Sequence, residues 1–397
     1  MTARKRIEHR LLAGVEQLMN IDPIEQALTL ASLSASLTGM DSYPEFRAAV
    51  AGSTKWLSRN VPNRTRVSLN CAQHNDRVTS AAIEAAVIDA MKDVPVAITK
   101  GLPEPPRFWP LAIAGAQREK FLYRSSIPYG SAVQQTLDIW RRPDMHIVGA
   151  PVLIFVPGGG WMHSGRFLQG YSLMSEMVRR GWICLSVSYR TAPRHRWPNH
   201  IRDVLAAVAW AKRNIVDFGG SPNFVAIAGT SAGAHLAVLA GLAPRDRDFT
   251  KELPSDDDTA VDAVVSFYGR YSWIDRSTPA RDQFIRFVER VIVGQSLREN
   301  PALFNDASPV LRVHADAPPF FVLHGDADRV IPVSEARAFV DRLRAASRSL
   351  VAYAEMPGAG HGFDMTNRLA AHYAVASSGL FLDAIYELHG RDDAHAV

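Results

Sequence analysis

Residues 223–238 read NFVAIAGTSAGAHLAV, and this stretch decides the fold because it joins a buried strand to a buried helix through a very short turn. The apolar run FVAIA is typical of a strand buried on both faces, and the small residues after Ser231 suit a helix packed closely against a sheet. Between them, residues 229–233 form the pattern G-x-S-x-G. In a strand–turn–helix unit this pattern places one serine hydroxyl at a sharp turn, at the edge of a parallel sheet.

Similar apolar runs recur along the chain and alternate with amphipathic helices. The runs PVLIFV, WICLSVSY, AVVSFYG, FFVLHG and LVAYAEM are typical of buried strands, while residues 199–215 and 334–347 have helical periodicity. EKFLYRSS and QQTLDIWRR alternate partially and predict an edge hairpin. The pattern predicts an α/β fold with a mostly parallel eight-stranded sheet, helices on both faces, and a binding crevice at the carboxyl ends of the strands.

The composition changes once, near residue 116. Before this point the chain is mostly helical in pattern, as at residues 24–33 and 80–94, and the proline-rich stretch 101–115 predicts a linker. We therefore predict an N-terminal helical region over residues 1–116 and an α/β domain over residues 117–397.

The charge and cysteine content exclude several classes of protein. The 397 residues include 44 basic and 40 acidic side chains, and the net charge of +4 is spread along the chain, so no nucleic-acid partner is predicted. The two cysteines, Cys71 and Cys184, lack the spacing of a zinc site, and Cys184 lies in a predicted core strand. We predict neither a metal nor a cofactor. The oligomeric state stays open.

No segment reads as a membrane span or a signal peptide. Glu16 interrupts the N-terminal apolar run, and the uncharged segment 224–244 is too rich in Gly, Ser and Thr. Residues 26–40 leave open a peripheral contact with a membrane or lipid. A cytoplasmic location is predicted, with association with the cell envelope as the alternative.

A serine at such a turn becomes a nucleophile only if a base takes its proton and a third group orients that base. FFVLHGDADRVIP places Asp326 and Asp328 just after a predicted strand, and LVAYAEMPGAGHGF places His361 just after the next one. The order Ser, Asp, His is the one expected for this fold. The residues alone do not distinguish Asp326 from Asp328.

Three other histidines, His163, His235 and His324, compete with His361 for the role of base. None of them combines a position after a strand with a position after the acid. His361 also lies in a glycine-rich loop that can bring its ring to Ser231.

Attack on a carbonyl group creates an oxyanion, which needs hydrogen-bond donors. LIFVPGGGWMHSG supplies a glycine loop directly after a predicted strand, so the N–H groups of residues 158–160 are candidates. The residue after the nucleophile, Ala232, supplies another.

With these motifs, residues 120–390 resemble the serine carboxylesterase branch of the α/β-hydrolases, near the hormone-sensitive-lipase-type enzymes and the feruloyl-esterase and arylformamidase-like groups. GTSAG and ADAPPFFVLHGDAD are similar to segments of mycobacterial Lip-type carboxylesterases. The resemblance implies an α/β-hydrolase fold, with a catalytic triad and an oxyanion hole. It implies that Ser231, Asp328 and His361 form the triad and that the amides of Gly159, Gly160 and Ala232 form the hole.

The chain departs from the family pattern at two places. Pro157 stands where a histidine usually precedes the three glycines, which removes a side-chain donor that could support the loop. In SYRTAPRH, Ser188 and Arg194 replace two acids of the family motif. Trp161 after the glycines is instead similar to the feruloyl-esterase and arylformamidase-like groups.

The resemblance also bears on the substrate. It implies that a helical insertion at about residues 271–314, carrying Trp273, Phe284, Phe287 and Val291, forms part of a cap, to which the N-terminal helices contribute. We therefore expect a carboxylesterase acting on small-molecule esters with short to medium acyl chains. The alternatives are an arylformamidase-like amidase and a binding module that lacks catalysis.

Overall fold

The computed structural model describes residues 69–95, 102, 110–144 and 148–395. The strands are β1 Leu122–Pro128, β2 Thr136–Trp140, β3 Ala150–Val156, β4 Ile183–Val187, β5 Gly220–Thr230, β6 Ala263–Phe267, β7 Phe320–Gly325 and β8 Val351–Met356. The α-helices are α1 Leu69–Ala90, α2 Pro110–Phe121, α3 Tyr171–Arg179, α4 Asn199–Asn214, α5 Ala232–Leu242, α6 Arg247–Thr250, α7 Pro279–Phe287, α8 Pro301–Asp306, α9 Val333–Ala346, α10 Phe363–Thr366 and α11 Arg368–His395. Short 3₁₀ or π-helical turns cover Ile215–Phe218, Val288–Val293 and Pro309–Leu311.

The eight strands form one sheet in the order β1-β2-β4-β3-β5-β6-β7-β8. The pairs β1–β2 and β2–β4 are antiparallel, and the remaining neighbours are parallel. The predicted fold class and the edge hairpin are therefore confirmed.

The inner strands separate two apolar cores, one on each face of the sheet. In β3, Val152, Ile154 and Val156 face one core, while Leu153 and Phe155 face the other. Helices α4, α5 and α9 cover the first face, and α1, α3 and α11 cover the second. Burial on both faces explains why these strands are almost entirely apolar. Within the described residues, no helix has the length and apolar character needed to cross a membrane.

The strand register aligns the loops that carry the predicted site. Val156 at the end of β3 pairs with Gly229 in β5, and Phe267 at the end of β6 pairs with Leu323 in β7. Parallel strands in this register end at one edge of the sheet. The segments that follow β3, β5, β6, β7 and β8 therefore meet there, as expected for an open α/β sheet.

The N-terminal region differs from the sequence prediction. Helix α2 begins at Pro110, inside the predicted linker, and it crosses the predicted boundary at residue 116. The linker prediction is therefore wrong from Pro110 onward. Proline is tolerated there because the first position of a helix needs no backbone N–H.

Helix α1 belongs to the core of the sheet domain. It packs against β8 and α11, and its side chains Ile83 and Val87 are fully buried. The predicted helix at residues 24–33, and any contribution of residues 1–68 to a cap, lie outside the described residues.

The predicted insertion, residues 271–314, contains α7, α8 and the short turns between and after them. It packs onto the same face of the sheet as α4 and α5. Its fully buried side chains include Trp273, Ile285 and Phe304. These residues fix the insertion to the domain, and its role as a cap stays a prediction.

Candidate active site

The elbow, residues 229–233, turns the chain from β5 into α5 at a single residue. Ser231 has φ 52° and ψ −118°, a conformation uncommon for a residue with a side chain. A Cβ added to Gly229 would lie 2.4 Å from the Gly233 carbonyl oxygen, and one added to Gly233 would lie 2.2 Å from the Val156 oxygen. Close backbone approach therefore requires both glycines, and the strained turn projects the Ser231 hydroxyl from the sheet edge.

Ser231, His361 and Asp328, far apart in the chain, meet at this edge. Ser231 Oγ lies 2.9 Å from His361 Nε2, and His361 Nδ1 lies 2.8 Å from Asp328 Oδ2. In the neutral tautomer that fits both contacts, Nδ1–H donates to the carboxylate and Nε2 accepts from the hydroxyl. The imidazole is thus placed to take the serine proton while the carboxylate holds its orientation.

Asp328 is buried but remains ionised. Burial by itself would raise the pKa of its carboxyl, but the nearby His361 and His324 outweigh this effect and hold that pKa well below its usual range. Its second oxygen, Oδ1, accepts from the backbone N–H groups of residues 330 and 331. The carboxylate is therefore fixed before any substrate binds.

The competing residues have other partners. Asp326 accepts a hydrogen bond from the backbone N–H of Gly358. The ring of His324 lies 3.4 Å from an oxygen of Asp328, and His163 accepts from a backbone N–H two residues away. No group of three or more His, Cys, Asp or Glu residues that could hold a metal ion occurs in the described part of the chain.

The glycine loop, residues 157–161, lies beside the elbow. The N–H of Gly158 donates to Gln169 Oε1 at 2.8 Å and to Thr230 Oγ1 at 3.1 Å. Within the described residues, the N–H groups of Gly159 and Gly160 donate to no acceptor, and both residues are partly exposed. Two of the predicted oxyanion donors are therefore free to bind a ligand.

Trp161, the last residue of the glycine loop, is held by buried groups that the sequence did not indicate. Its Nε1–H donates to His235 Nδ1 at 3.2 Å, and its carbonyl oxygen lies 3.0 Å from His200 Nε2. Burial lowers the pKa of both histidines to about 3, so both are neutral. The ring of His235 also stacks on Trp273 of the insertion, with centroids 4.8 Å apart.

A second buried carboxyl lies near His361. Tyr268, which follows β6 with a φ of 40°, packs its ring against the imidazole, with centroids 4.7 Å apart. The Tyr268 hydroxyl donates to Asp364, and burial raises the pKa of that carboxyl to about 6. The imidazole is therefore contacted by the Tyr268 ring in addition to the two polar contacts of its nitrogens.

Comparison with known proteins identifies esterases among the relatives of this chain and a solved structure with the same fold. The protein is 42% identical over 395 residues to Esterase LipC of Mycobacterium tuberculosis, covering 97% of each chain. It is 44% identical over 276 residues to Esterase LipQ of the same organism, covering 69% of this chain and 65% of that one. Among solved structures, a truncated carbohydrate esterase from gut microbiota shares the fold, with a TM-score of 0.54, 24% identity, and coverage of 64% of this chain and 98% of that one.

Fold, site and relatives together define a serine hydrolase of the α/β-hydrolase fold, in the class of carboxylic ester hydrolases. The BD-FAE family model matches residues 137–343. The chain therefore belongs to the BD-FAE family, and the sequence resemblance to Lip-type esterases is confirmed.

Proposed function

We propose that this enzyme hydrolyses small-molecule carboxylic esters through an acyl-enzyme formed on Ser231. One observation carries the proposal, namely the contact of 2.9 Å between Ser231 Oγ and His361 Nε2, continued to Asp328. A serine hydroxyl is a weak nucleophile at neutral pH. A base at this distance can take its proton as the oxygen attacks.

The cycle has two halves. First, Ser231 Oγ bonds to the carbonyl carbon while its proton passes to His361 Nε2; the bond to the alcohol oxygen then breaks, and His361 protonates that oxygen. Water next attacks the acyl-enzyme and gives a proton to His361, and the acid leaves as Ser231 regains that proton. Throughout, Asp328 holds the tautomer of the imidazole and stabilises its cation.

The developing oxyanion is assigned to the N–H groups of Gly159, Gly160 and Ala232. The first two have no acceptor among the described residues. Ala232 is the first residue of α5, where a backbone N–H has no intrahelical partner and the helix dipole favours negative charge. In another serine hydrolase, loss of one such donor lowers kcat by roughly 10²–10³.

The position of the insertion supports the proposed preference for short to medium acyl chains. Its half-buried Phe284 lies beside Trp161, with ring centroids 6.1 Å apart, and the guanidinium of Arg270 lies 3.8 Å from the centre of the Phe284 ring. Phe287 and Val291 are also half-buried on the same segment. An apolar wall anchored this close to the glycine loop would limit the depth of the acyl pocket.

Ser231→Ala tests the mechanism. Removing the nucleophile should lower ester hydrolysis by about a millionfold, the loss seen in a comparable triad enzyme. A serine-directed phosphonate should add to the wild-type protein and not to the variant, as measured by intact mass. Substantial hydrolysis by purified Ser231→Ala would overturn the proposal.

A series of p-nitrophenyl esters from acetate to laurate tests the acyl-chain preference, with the highest kcat/KM expected for an acyl chain shorter than laurate.

An ester and a formamide of the same aryl group separate ester hydrolysis from arylformamidase-like activity. We expect the ester to react faster, because an alkoxide or phenoxide leaves more readily than an amine. A faster formamide reaction would favour the amidase.

A further inference from the structure

Each proposed oxyanion donor shares a planar peptide unit with the carbonyl group of the preceding residue. Because a trans peptide is rigid, holding that carbonyl fixes the direction of the N–H. For Ala232, the Ser231 carbonyl accepts from a backbone N–H in the first turn of α5. For Gly160, the Gly159 carbonyl accepts from the N–H groups of residues 162 and 163. Two of the three donors are thus oriented by local backbone hydrogen bonds.

The third peptide unit, which joins Gly158 to Gly159, is held differently. Within the described residues, the Gly158 carbonyl accepts only from Gln169 Nε2, at 3.3 Å. Gln169 Oε1 accepts from the Gly158 N–H at 2.8 Å and from Thr230 Oγ1 at 3.2 Å. The side-chain amide of Gln169 therefore forms hydrogen bonds with both the N–H and the carbonyl group of Gly158. It also links them to Thr230, the residue before Ser231.

The two residues that flank Gln169 have uncommon backbone conformations, which place its side chain beside the glycine loop. Leu168 and Gly170 both have left-handed conformations, with φ 68° and 70°. For leucine this conformation is uncommon, and such strain persists where the surrounding structure holds it, often at functional sites. Gly170 is further required by space, because a Cβ there would lie 2.5 Å from the ring of Phe155.

We propose that Gln169 is a positioning residue for the oxyanion hole, which holds the Gly158 carbonyl and thereby aims the Gly159 N–H at the substrate oxygen. The inference rests on the proposed function of the site. It also accounts for Pro157, because the support that a histidine at this position would give comes from a side chain twelve residues further on.

Gln169→Leu tests the proposal, because leucine is similar in size and makes no hydrogen bonds. Loss of an aimed donor weakens transition-state binding more than substrate binding, so kcat should fall by roughly 10- to 100-fold while KM changes by less than about threefold. Binding of a trifluoromethyl ketone, whose adduct carries an oxyanion, should weaken by a similar factor.

Gln169→Glu provides a second variant in case leucine disturbs folding. The carboxylate keeps the acceptor for Gly158 N–H but loses the donor to the Gly158 carbonyl, so kcat should also fall at neutral pH. Protonation of the carboxyl restores an O–H donor. The ratio of variant to wild-type kcat should therefore rise as pH is lowered from about 8 to about 5.5, which a packing defect alone would not produce.

Gln135→Leu is the matched control. Gln135 also accepts from a backbone N–H and donates to a buried acceptor, Asp203, outside the elbow and the glycine loop. This variant should lose thermal stability while keeping kcat within about twofold. Folded Gln169→Leu and Gln169→Glu with wild-type kcat would overturn the proposal for Gln169, whereas activity retained by Ser231→Ala would overturn the function on which it rests.

Discussion

The elbow and the glycine loop lie side by side at the sheet edge, but different forces hold them in place. The elbow is fixed by its own backbone. Gly229 and Gly233 have no side chains, so the turn can close against β3, and Ser231 adopts an uncommon backbone conformation with a positive φ. The glycine loop has local backbone hydrogen bonds to the Gly159 carbonyl, but it also depends on side chains from elsewhere, chiefly Gln169 and the histidines that hold Trp161. Substitutions of the elbow glycines should therefore disrupt structure, and those around the glycine loop should mainly affect catalysis.

Gly233→Ala should have the largest effect on stability. The added Cβ would overlap the carbonyl oxygens of Val156 and Pro157, both backbone atoms of the neighbouring strand and loop. We expect a loss of about 3 kcal/mol or more in the free energy of unfolding, with most activity lost as well. Urea denaturation and ester hydrolysis measure the two effects.

Gly115→Ala is the control for this prediction. Gly115 lies in α2 with no neighbouring atom within 4 Å of an added Cβ. Alanine there should stabilise the protein by up to about 1 kcal/mol, because it favours the helix. Equal stability of Gly233→Ala and wild type would show that the elbow is not held by close backbone packing.

Trp161→Phe should have a smaller effect, mainly on rate. Phenylalanine keeps an aromatic ring beside Trp273 but removes the N–H that donates to His235. The glycine loop then loses one of its attachments, and we expect kcat to fall by about tenfold with KM little changed. Trp210→Phe, on α4, should leave both constants close to wild type. A fall in stability without any change in kcat would contradict the proposed difference between loop and elbow.

The pH dependence of stability should develop gradually, because it is spread over several pH units. Burial lowers the pKa of His200 and His235 to about 3 in the folded protein, against about 6.5 in the unfolded chain. The unfolded state therefore binds more protons below pH 6.5, and the stability that these neutral rings contribute is lost as pH falls from about 6.5 toward 3. Each ring should contribute a slope of about 1.4 kcal/mol per pH unit in this range.

His235→Gln checks this slope. Glutamine does not titrate and can replace one hydrogen bond of the ring. Urea denaturation between about pH 6.5 and 5 measures how the free energy of unfolding falls with pH. In the variant this fall should be shallower than in wild type by the contribution of one proton, about 1.4 kcal/mol per pH unit. An unchanged slope would mean that His235 is protonated in the folded protein.

Most of the fold could be predicted from the sequence. Strands β3 to β7 are short apolar runs whose burial on both faces leaves a local signature, and the edge hairpin β1–β2 shows partial alternation. The elbow is a local motif in which glycine, serine and glycine follow a strand. The linker prediction failed at Pro110, because proline suits the first turn of a helix as well as a loop.

The sequence by itself determined the strands, the elbow and the candidate residues Ser231 and His361, because each depends on its near neighbours in the chain. Only the tertiary structure showed that Asp328, and not Asp326, contacts His361. It alone brought Gln169 to the glycine loop. These contacts join residues that are far apart in sequence, so no local pattern of amino acids records them; they exist because parallel strands in register end at the same edge.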